Sequence, residues 1–320
     1  MGNFNDVSQN LVTNIESVII GKKDKIFTVL AAILARGHIL LEDVPGVAKT
    51  MLARSIAVSF GCDFKRVQCT PDLLPTDITG VSVYNQKTRE FEFMKGPIFT
   101  NVLLADEVNR ATPRSQSALL EAMEERQVSV DGRTHTLIHP FVVMATQNPV
   151  EQEGTFPLPE AQLDRFLTRV SLGYPEFPHE SEMLDRLREG HPIEKIKPVI
   201  NAETVLKMQK FVEKVFVHEE VKKYLLRIVH KTRNHPKLGL GGSPRASIAL
   251  YRTAQAMAAL NGRNYIIPDD VKKLVVPVLG HRIILKPEYR LRRESSRTVL
   301  EEVMKSVEAP SNIGSFKPRE

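Results

Sequence analysis

A lysine followed by a hydroxyl residue, Lys49-Thr50, closes the run Ile39-Leu40-Leu41-Glu42-Asp43-Val44-Pro45-Gly46-Val47-Ala48. The run has the order of a strand, a loop and the start of a helix. That order gathers backbone N–H groups at a helix N-terminus, where the helix dipole assists in holding an anion. On this reading Pro45, Gly46, Val47 and Ala48 cradle phosphates, Lys49 reaches the β- and γ-phosphates, and the Thr50 hydroxyl ligates Mg²⁺. The strict pattern G-x-x-x-x-G-K-[ST] is not met, because Asp43 stands at its first glycine and Ala48 at its last. Asp tolerates left-handed backbone better than most residues, so Asp43 is expected to disturb the loop little. Ala48 is expected to tighten the loop and weaken nucleotide affinity. Taken alone, the run also suits an ordinary strand-to-helix loop.

Four further segments bear on that choice. Asn101-Val102-Leu103-Leu104-Ala105-Asp106-Glu107 reads as a buried strand ending in two acids. A carboxylate at the carboxyl end of such a strand faces the ligand crevice of an open α/β sheet. There Asp106 would hold Mg²⁺ through water, and Glu107 would orient or deprotonate an attacking water. Val142-Val143-Met144-Ala145-Thr146-Gln147-Asn148-Pro149 places a neutral amide at the end of a neighbouring strand. Asn148 could bond the attacking water and the γ-phosphate without adding charge, although an Asn before Pro is also a common turn residue. Arg165, in Leu158-Pro159-Glu160-Ala161-Gln162-Leu163-Asp164-Arg165-Phe166, follows a short helix and precedes a strand. It points out of its own site and suits the γ-phosphate of a neighbouring copy, or else pairs on the surface with Asp164 or Glu160. Finally, Gly241-Gly242-Ser243-Pro244-Arg245 would cap and open a helix that presents Arg245, from a second domain, to the γ-phosphate.

The elements that position these residues alternate in the first half of the chain. Apolar runs at 38–41, 65–69, 102–106, 141–146 and 168–172 read as strands, with helices at 22–36, 50–60 and 113–126 between them. This is the signature of a parallel sheet with crossover helices. Two hairpins interrupt it, one at 81–84 and 91–94, the other at 127–130 and 134–138 around Asp131-Gly132. Residues 173–178 carry two prolines and read as a linker. Beyond 180 the pattern is helical, at 180–188, 202–215, 219–234, 244–260 and 269–279, with Asn261-Gly262 stopping the fourth helix.

With 320 residues, 42% of them hydrophobic and 26% charged, the chain can bury a core in about two domains. That composition excludes disordered and collagen-like classes. No apolar run reaches the length of a membrane span, and the N-terminus lacks the regions of a signal peptide, so a cytoplasmic protein is expected. Cys62 and Cys69 show no metal spacing and are expected to be packed thiols. His135 and His139, four apart on or beside a strand, are too far separated to share a metal. Residues 1–200 carry 21 Lys/Arg against 26 Asp/Glu, while residues 201–320 carry 23 against 12. The basic second half suits either solvated helices or an acidic or nucleic-acid partner.

Together the five segments resemble the AAA+ ATPases and, more narrowly, the MoxR family. The narrow signal lies in Leu-Glu-Asp-Val-Pro-Gly-Val-Ala-Lys-Thr (41–50), Asp-Glu-Val-Asn-Arg-Ala (106–111) and Ala-Thr-Gln-Asn-Pro (145–149). Leu-Pro-Glu-Ala-Gln-Leu-Asp-Arg-Phe (158–166) and Gly-Ser-Pro-Arg-Ala-Ser (242–247) reinforce it. The resemblance implies a three-layer αβα nucleotide domain over 1–175 and an all-helical lid over 176–320. It makes Lys49 and Thr50 part of Walker A, Asp106 and Glu107 Walker B, and Asn148 sensor 1. Arg165 becomes the arginine finger and Arg245 sensor 2, while Ile20 and Gly21 lie where relatives wrap the adenine. The hairpins match inserts that commonly face a ring pore. The implied activity is Mg²⁺-dependent ATP hydrolysis coupled to chaperone-like remodelling or maturation of a protein complex. The implied assembly is a hexameric ring, often partnered by a von Willebrand factor A domain protein. A nucleic-acid-stimulated motor and an ATP-binding regulator without turnover are the alternatives.

Overall fold

A computed structural model of the chain describes residues 2–149, 154–188 and 190–311. In chain order the first elements are helix α1 (Gly2–Glu16), helix α2 (Lys23–Leu34), strand β1 (Ile39–Glu42), helix α3 (Lys49–Ser59) and strand β2 (Phe64–Gln68). A short helix α4 (Pro75–Thr79) leads into the hairpin of β3 (Gly80–Asn85) and β4 (Glu90–Lys95), and then to β5 (Val102–Asp106). Helix α5 (Pro113–Glu125), the hairpin of β6 (Gln127–Val130) and β7 (Arg133–Thr136), strand β8 (Val142–Gln147), helix α6 (Glu160–Leu163) and strand β9 (Thr168–Val170) follow.

Five strands form one parallel sheet in the order β2-β5-β8-β1-β9. β5 is buried along its whole length and β8 up to Thr146, as expected of parallel strands covered on both faces. Side chains alternate across the sheet. Ile39, Leu41, Val102, Leu104, Val142 and Met144 pack on one face with Leu52, Ile56 and Phe60 of α3 and with α2. Leu40, Leu103, Ala105, Val143 and Ala145 pack on the other with Leu119, Leu120 and Met123 of α5. Three layers result, αβα, as expected. The two edges are charged, with Lys65 and Arg66 exposed on β2 and Arg169 half-buried on β9, which guards against edge pairing with other chains.

The remaining chain is mainly helical: α7 (Phe177–Leu187), α8 (Pro192–Lys195), α9 (Ala202–Val212), α10 (Glu219–Arg233), α11 (Pro244–Leu260), α12 (Pro268–Leu279), α13 (Pro287–Leu291) and α14 (Ser296–Ser306). A two-stranded ribbon joins β10 (Leu238–Leu240) to β11 (Ile284–Leu285). Ser243 caps α11 by accepting the Ala246 N–H, Pro244 opens the helix, and Asn261 followed by Gly262 at φ +73° ends it. Apolar faces of α10, α11, α12 and α14 join α1, α2 and α3 in one continuous core. Among the described residues, no helix is long and apolar enough to cross a membrane.

The structure corrects several expectations in detail. The β9 strand stops at Val170, because the next residues are drawn away by Asp43. Pro178 lies in the first turn of α7 and not in a linker, since proline is tolerated where no helical N–H is needed. Helices α1, α4, α8, α13 and α14 and the β10–β11 ribbon had no place in the sequence reading. The second hairpin turns as expected at Asp131-Gly132, both with positive φ. His135 stacks on Phe93 of the first hairpin at 4.1 Å, which joins the two inserts. Among the described residues there is no cluster of His, Cys, Asp or Glu able to hold a metal.

Candidate functional site

Register alone collects the first group of side chains. Glu42 is level with Gln147, Gln68 is level with Asp106, and β5 and β8 run in step. The residues just past those positions, Asp43, Glu107 and Asn148, therefore share the carboxyl edge of the sheet. This is where an open α/β sheet binds its ligand.

In the 43–50 loop, Gly46 has φ +85° and Ala48 φ +61°, with Val47 between them on the negative side. Such alternation turns successive N–H groups toward one point, an anion nest. A Cβ on Gly46 would meet nothing within 4 Å, so glycine is needed there for its backbone angle and not for space. Helix α3 begins with no side chain capping its first turn. Its N–H groups thus face the loop, and the Lys49 ammonium lies over it, donating to the Asp43 carbonyl at 2.7 Å. Thr50, half-buried, is in the same first turn.

Asp43 behaves differently from the expectation that it borrows left-handed backbone. Its φ is negative, and its buried carboxylate is an anchor. Oδ2 accepts from Leu172 N–H (2.5 Å), Gly173 N–H (2.8 Å) and Ser171 Oγ–H (3.2 Å), while Oδ1 accepts from Val44 N–H (3.2 Å). The loop is thereby fastened to the chain leaving β9. That chain in turn meets the turn before α2, where Lys22 Nζ donates to the Tyr174 carbonyl at 2.8 Å. Ile20 is buried in this turn. Gly21 has φ +70°, and a Cβ there would strike the His179 ring at 2.3 Å. The expected adenine residues and the phosphate loop are thus joined through residues 171–174.

The acids sit in a network the sequence did not announce. Thr146 donates its hydroxyl to Asp106 Oδ1 at 2.6 Å and accepts the Glu107 N–H at 2.8 Å. Arg66 on β2 donates to Asp106 Oδ2 from Nε (3.0 Å) and Nη2 (2.7 Å), and Nη2 also reaches Gln68 Oε1 at 2.6 Å. Gln68 donates to Glu107 Oε2 at 2.8 Å, and Arg110 does so at 3.3 Å. Glu107 itself has φ +57°, a strained backbone for a side chain of its size, as found at positions that aim a reactive group. Burial first, then the charges of Asp106 and Glu107, push the neighbouring Cys69 thiol up to about 12. Asn148 is buried beside these acids, one residue past β8. A hydroxyl from Thr50 with a carboxylate from Asp106 is an all-oxygen donor set and fits Mg²⁺, which keeps most of its own waters. Arg66 and Gln68 were missed; their only sequence signal is two polar residues, two apart, on an edge strand level with Asp106.

The two remaining arginines are elsewhere. Arg165 Nη2 lies 3.2 Å from Glu124 Oε2, and Arg245 Nη2 lies 2.9 Å from Glu124 Oε1. Glu124 is in the last turn of α5, beside Met123, whose carbonyl bonds the ring of His38 at the start of β1. The structure therefore brings Arg165 and Arg245 together at the amino end of the strands, the end opposite the phosphate loop. Next to them Arg282 is almost wholly enclosed. It donates to Asp164 Oδ1 (2.6 Å) and to the carbonyls of Phe166 (2.6 Å), Leu167 (3.0 Å) and Val278 (2.5 Å).

Comparison with known proteins finds relatives over most of the chain. Residues 38–168 match the model of the ATPase family associated with various cellular activities (AAA), and residues 230–303 match the AAA lid domain. An uncharacterised protein, YeaC, of Bacillus subtilis is 54% identical over 93% of this chain and 93% of its own. The chaperone MoxR1 of Mycobacterium tuberculosis is 40% identical over 94% of this chain and 82% of its own. A crystal structure of a candidate ATPase from Cytophaga hutchinsonii superposes with a TM-score of 0.90 at 40% identity, covering 97% of this chain and 96% of that one.

Proposed function

The chain belongs to the MoxR family of AAA+ ATPases, and on that premise we propose that it hydrolyses ATP with Mg²⁺ to drive chaperone-like remodelling, assembly or maturation of a specific protein complex. The nest of Gly46, Val47 and Ala48, entered through Pro45, and the first turn of α3 hold the phosphates, with Lys49 over their outer oxygens. Ile20 and Gly21 take the adenine. Thr50 and Asp106 hold the metal, which neutralises phosphate charge when bound. Glu107 accepts a proton from, or orients, the attacking water, and Asn148 holds that water in line.

The observation that carries this reading is the separation of the chemistry onto two ends of one sheet. Loop and acids lie at the carboxyl end, and Arg165 and Arg245 at the amino end. A protomer so built carries two halves of a site, and each half is completed by a second copy. Head-to-tail repetition of such a contact closes into a ring when its rotation is a whole fraction of a turn. A hexamer in the cytoplasm with a von Willebrand factor A domain partner is the form we propose. The motor alternative is less well supported than the charge count suggests. Lid cations such as Lys222, Lys223, Lys237 and Arg263 are each paired with an acid, which leaves less free positive surface for nucleic acid.

The test is Glu107→Gln. It should retain ATP binding and lose turnover by roughly 10²–10⁴-fold, the usual worth of a positioned acid–base group. Held with Mg²⁺-ATP in native lysate, the variant should retain a discrete protein whose identity names the pathway. Undiminished turnover would sink the assignment of Glu107, and nuclease-sensitive recovery would favour the motor.

A further inference from the structure

Arg165 and Arg245 come from different parts of the fold, one from the segment between α6 and β9, the other from the first turn of α11. Both end on one carboxylate, Glu124, each guanidinium taking a separate oxygen. Two long side chains of like charge would otherwise repel and sample many rotamers. We infer that Glu124 is a positioning residue, whose carboxylate yokes Arg165 and Arg245 into one pre-arranged pair for the phosphate of a neighbouring copy. This inference rests on the trans placement proposed above.

An ordinary surface ion pair would leave the same two distances, so the surroundings decide. The lid does not depend on Glu124 for its seat. Arg282 with Asp164, His281 with the Phe166 carbonyl and Arg169 with the Gly280 carbonyl already hold α12 against the sheet, all more enclosed than Glu124. Glu124 and its two partners are partly open to solvent, at 37%, 31% and 60% of their side chains. They are therefore free to meet an incoming anion. The corner around Glu124 is rich in cations, with Arg36, Arg126, Arg252 and Arg282 lining it. Arg36 is paired with Glu213 and Arg282 with Asp164, so Glu124 is the acid that serves Arg165 and Arg245. One carboxylate between two guanidiniums leaves a net positive pair. A phosphate is still attracted, and it finds both donors already aimed.

The experiment is steady-state ATPase of the full chain, at protein concentrations where the rate per chain has stopped rising, for Glu124→Gln, Glu124→Asp, Arg165→Ala and Arg245→Ala. Glu124→Gln should lower kcat about tenfold, with KM, sedimentation and thermal midpoint unchanged, and Glu124→Asp should recover part of the loss. Placed in Arg165→Ala, Glu124→Gln should cost less than it does in the unsubstituted chain, because only Arg245 is left on the carboxylate. A full rate in Glu124→Gln, beside arginine variants that are slow, would overturn the yoke and leave the trans reading intact. An equal loss in both backgrounds, or a lowered thermal midpoint, would mark Glu124 as structural support and also overturn it. If neither arginine variant slows the rate, the trans reading falls, and the yoke with it.

Discussion

At Asp43 the loop gives up a glycine and gains an acceptor, while at Ala48 it gives up a glycine and gains nothing. Two backbone N–H groups and a hydroxyl converge on Asp43 Oδ2, and the φ there is negative, so a glycine would bring no relief of strain. Asp43→Gly restores the first glycine of the strict phosphate-loop pattern yet strands the Leu172 and Gly173 N–H groups, at a cost of about 2–4 kcal/mol. Ala48 sits at φ +61°, where a Cβ is worth about 1–2 kcal/mol of strain. Ala48→Gly removes that strain and returns part of the gain to the entropy of the unfolded chain, for a net stabilisation of up to about 1 kcal/mol. Urea unfolding of the two variants should therefore move in opposite directions. Equal destabilisation by both would contradict a left-handed Ala48 beside a non-left-handed Asp43. The same two residues give no reason to expect a silent nucleotide site, since one departure is an anchor and the other keeps the left-handed turn the nest needs.

Elements are joined by two buried imidazoles. His38 opens β1; its Nδ1 accepts the Val143 N–H of β8 at 2.9 Å, which leaves Nε2–H to donate to the Met123 carbonyl of α5 at 3.0 Å. Burial above all lowers its pKa to about 4, with the Arg126 charge adding to the effect. His281, on the α12 side, bonds the Phe166 carbonyl and is likewise held well below its usual range by burial and then by Arg282. In the unfolded chain both rings take up protons near pH 6.5. The folded chain binds fewer protons than the unfolded one below that pH, so stability is full above about 6.5 and falls as the pH drops toward 4. Each ring contributes roughly 1.4 kcal/mol per pH unit inside the window. Chemical unfolding at pH 7 and pH 5 should show the loss, and equal stability at the two pH values would contradict neutral burial.

Such joints mark the limit of what the sequence conveyed. β5, β8 and the phosphate loop were legible because apolar runs, acids at strand ends and Lys49-Thr50 are local signals. His38, Asp43, Arg66 and Glu124 were not, because their partners lie 105, 129, 40 and 121 residues away. Helix α14 was not legible either, because Val299, Leu300 and Val303 are a short apolar stripe in an otherwise polar run.

For the whole molecule, the sheet's two-ended chemistry makes a demand that no single-chain property can imitate. Lys49→Ala removes the ammonium over the phosphate loop and leaves Arg165 and Arg245 intact. Arg165→Ala does the reverse. Each variant alone should be nearly inactive, because every interface lacks one half. Mixed before assembly, they regenerate interfaces in which the loop of an Arg165→Ala subunit meets the arginines of a Lys49→Ala subunit. In a random one-to-one ring about a quarter of the interfaces are whole in this sense. Recovered ATPase should approach that fraction of the unsubstituted rate if each interface acts alone, and fall below it if neighbours must fire together. The observation that motivates the test is purely geometric: Arg165 and Arg245 share Glu124 beside the start of β1, and Lys49 follows that strand's far end. On the proposed trans site, one chain does not bring both ends of that strand to one nucleotide. Absence of any recovery, with both variants shown to co-assemble, would mean that each subunit completes its own site and that the lid must swing across the sheet to do so.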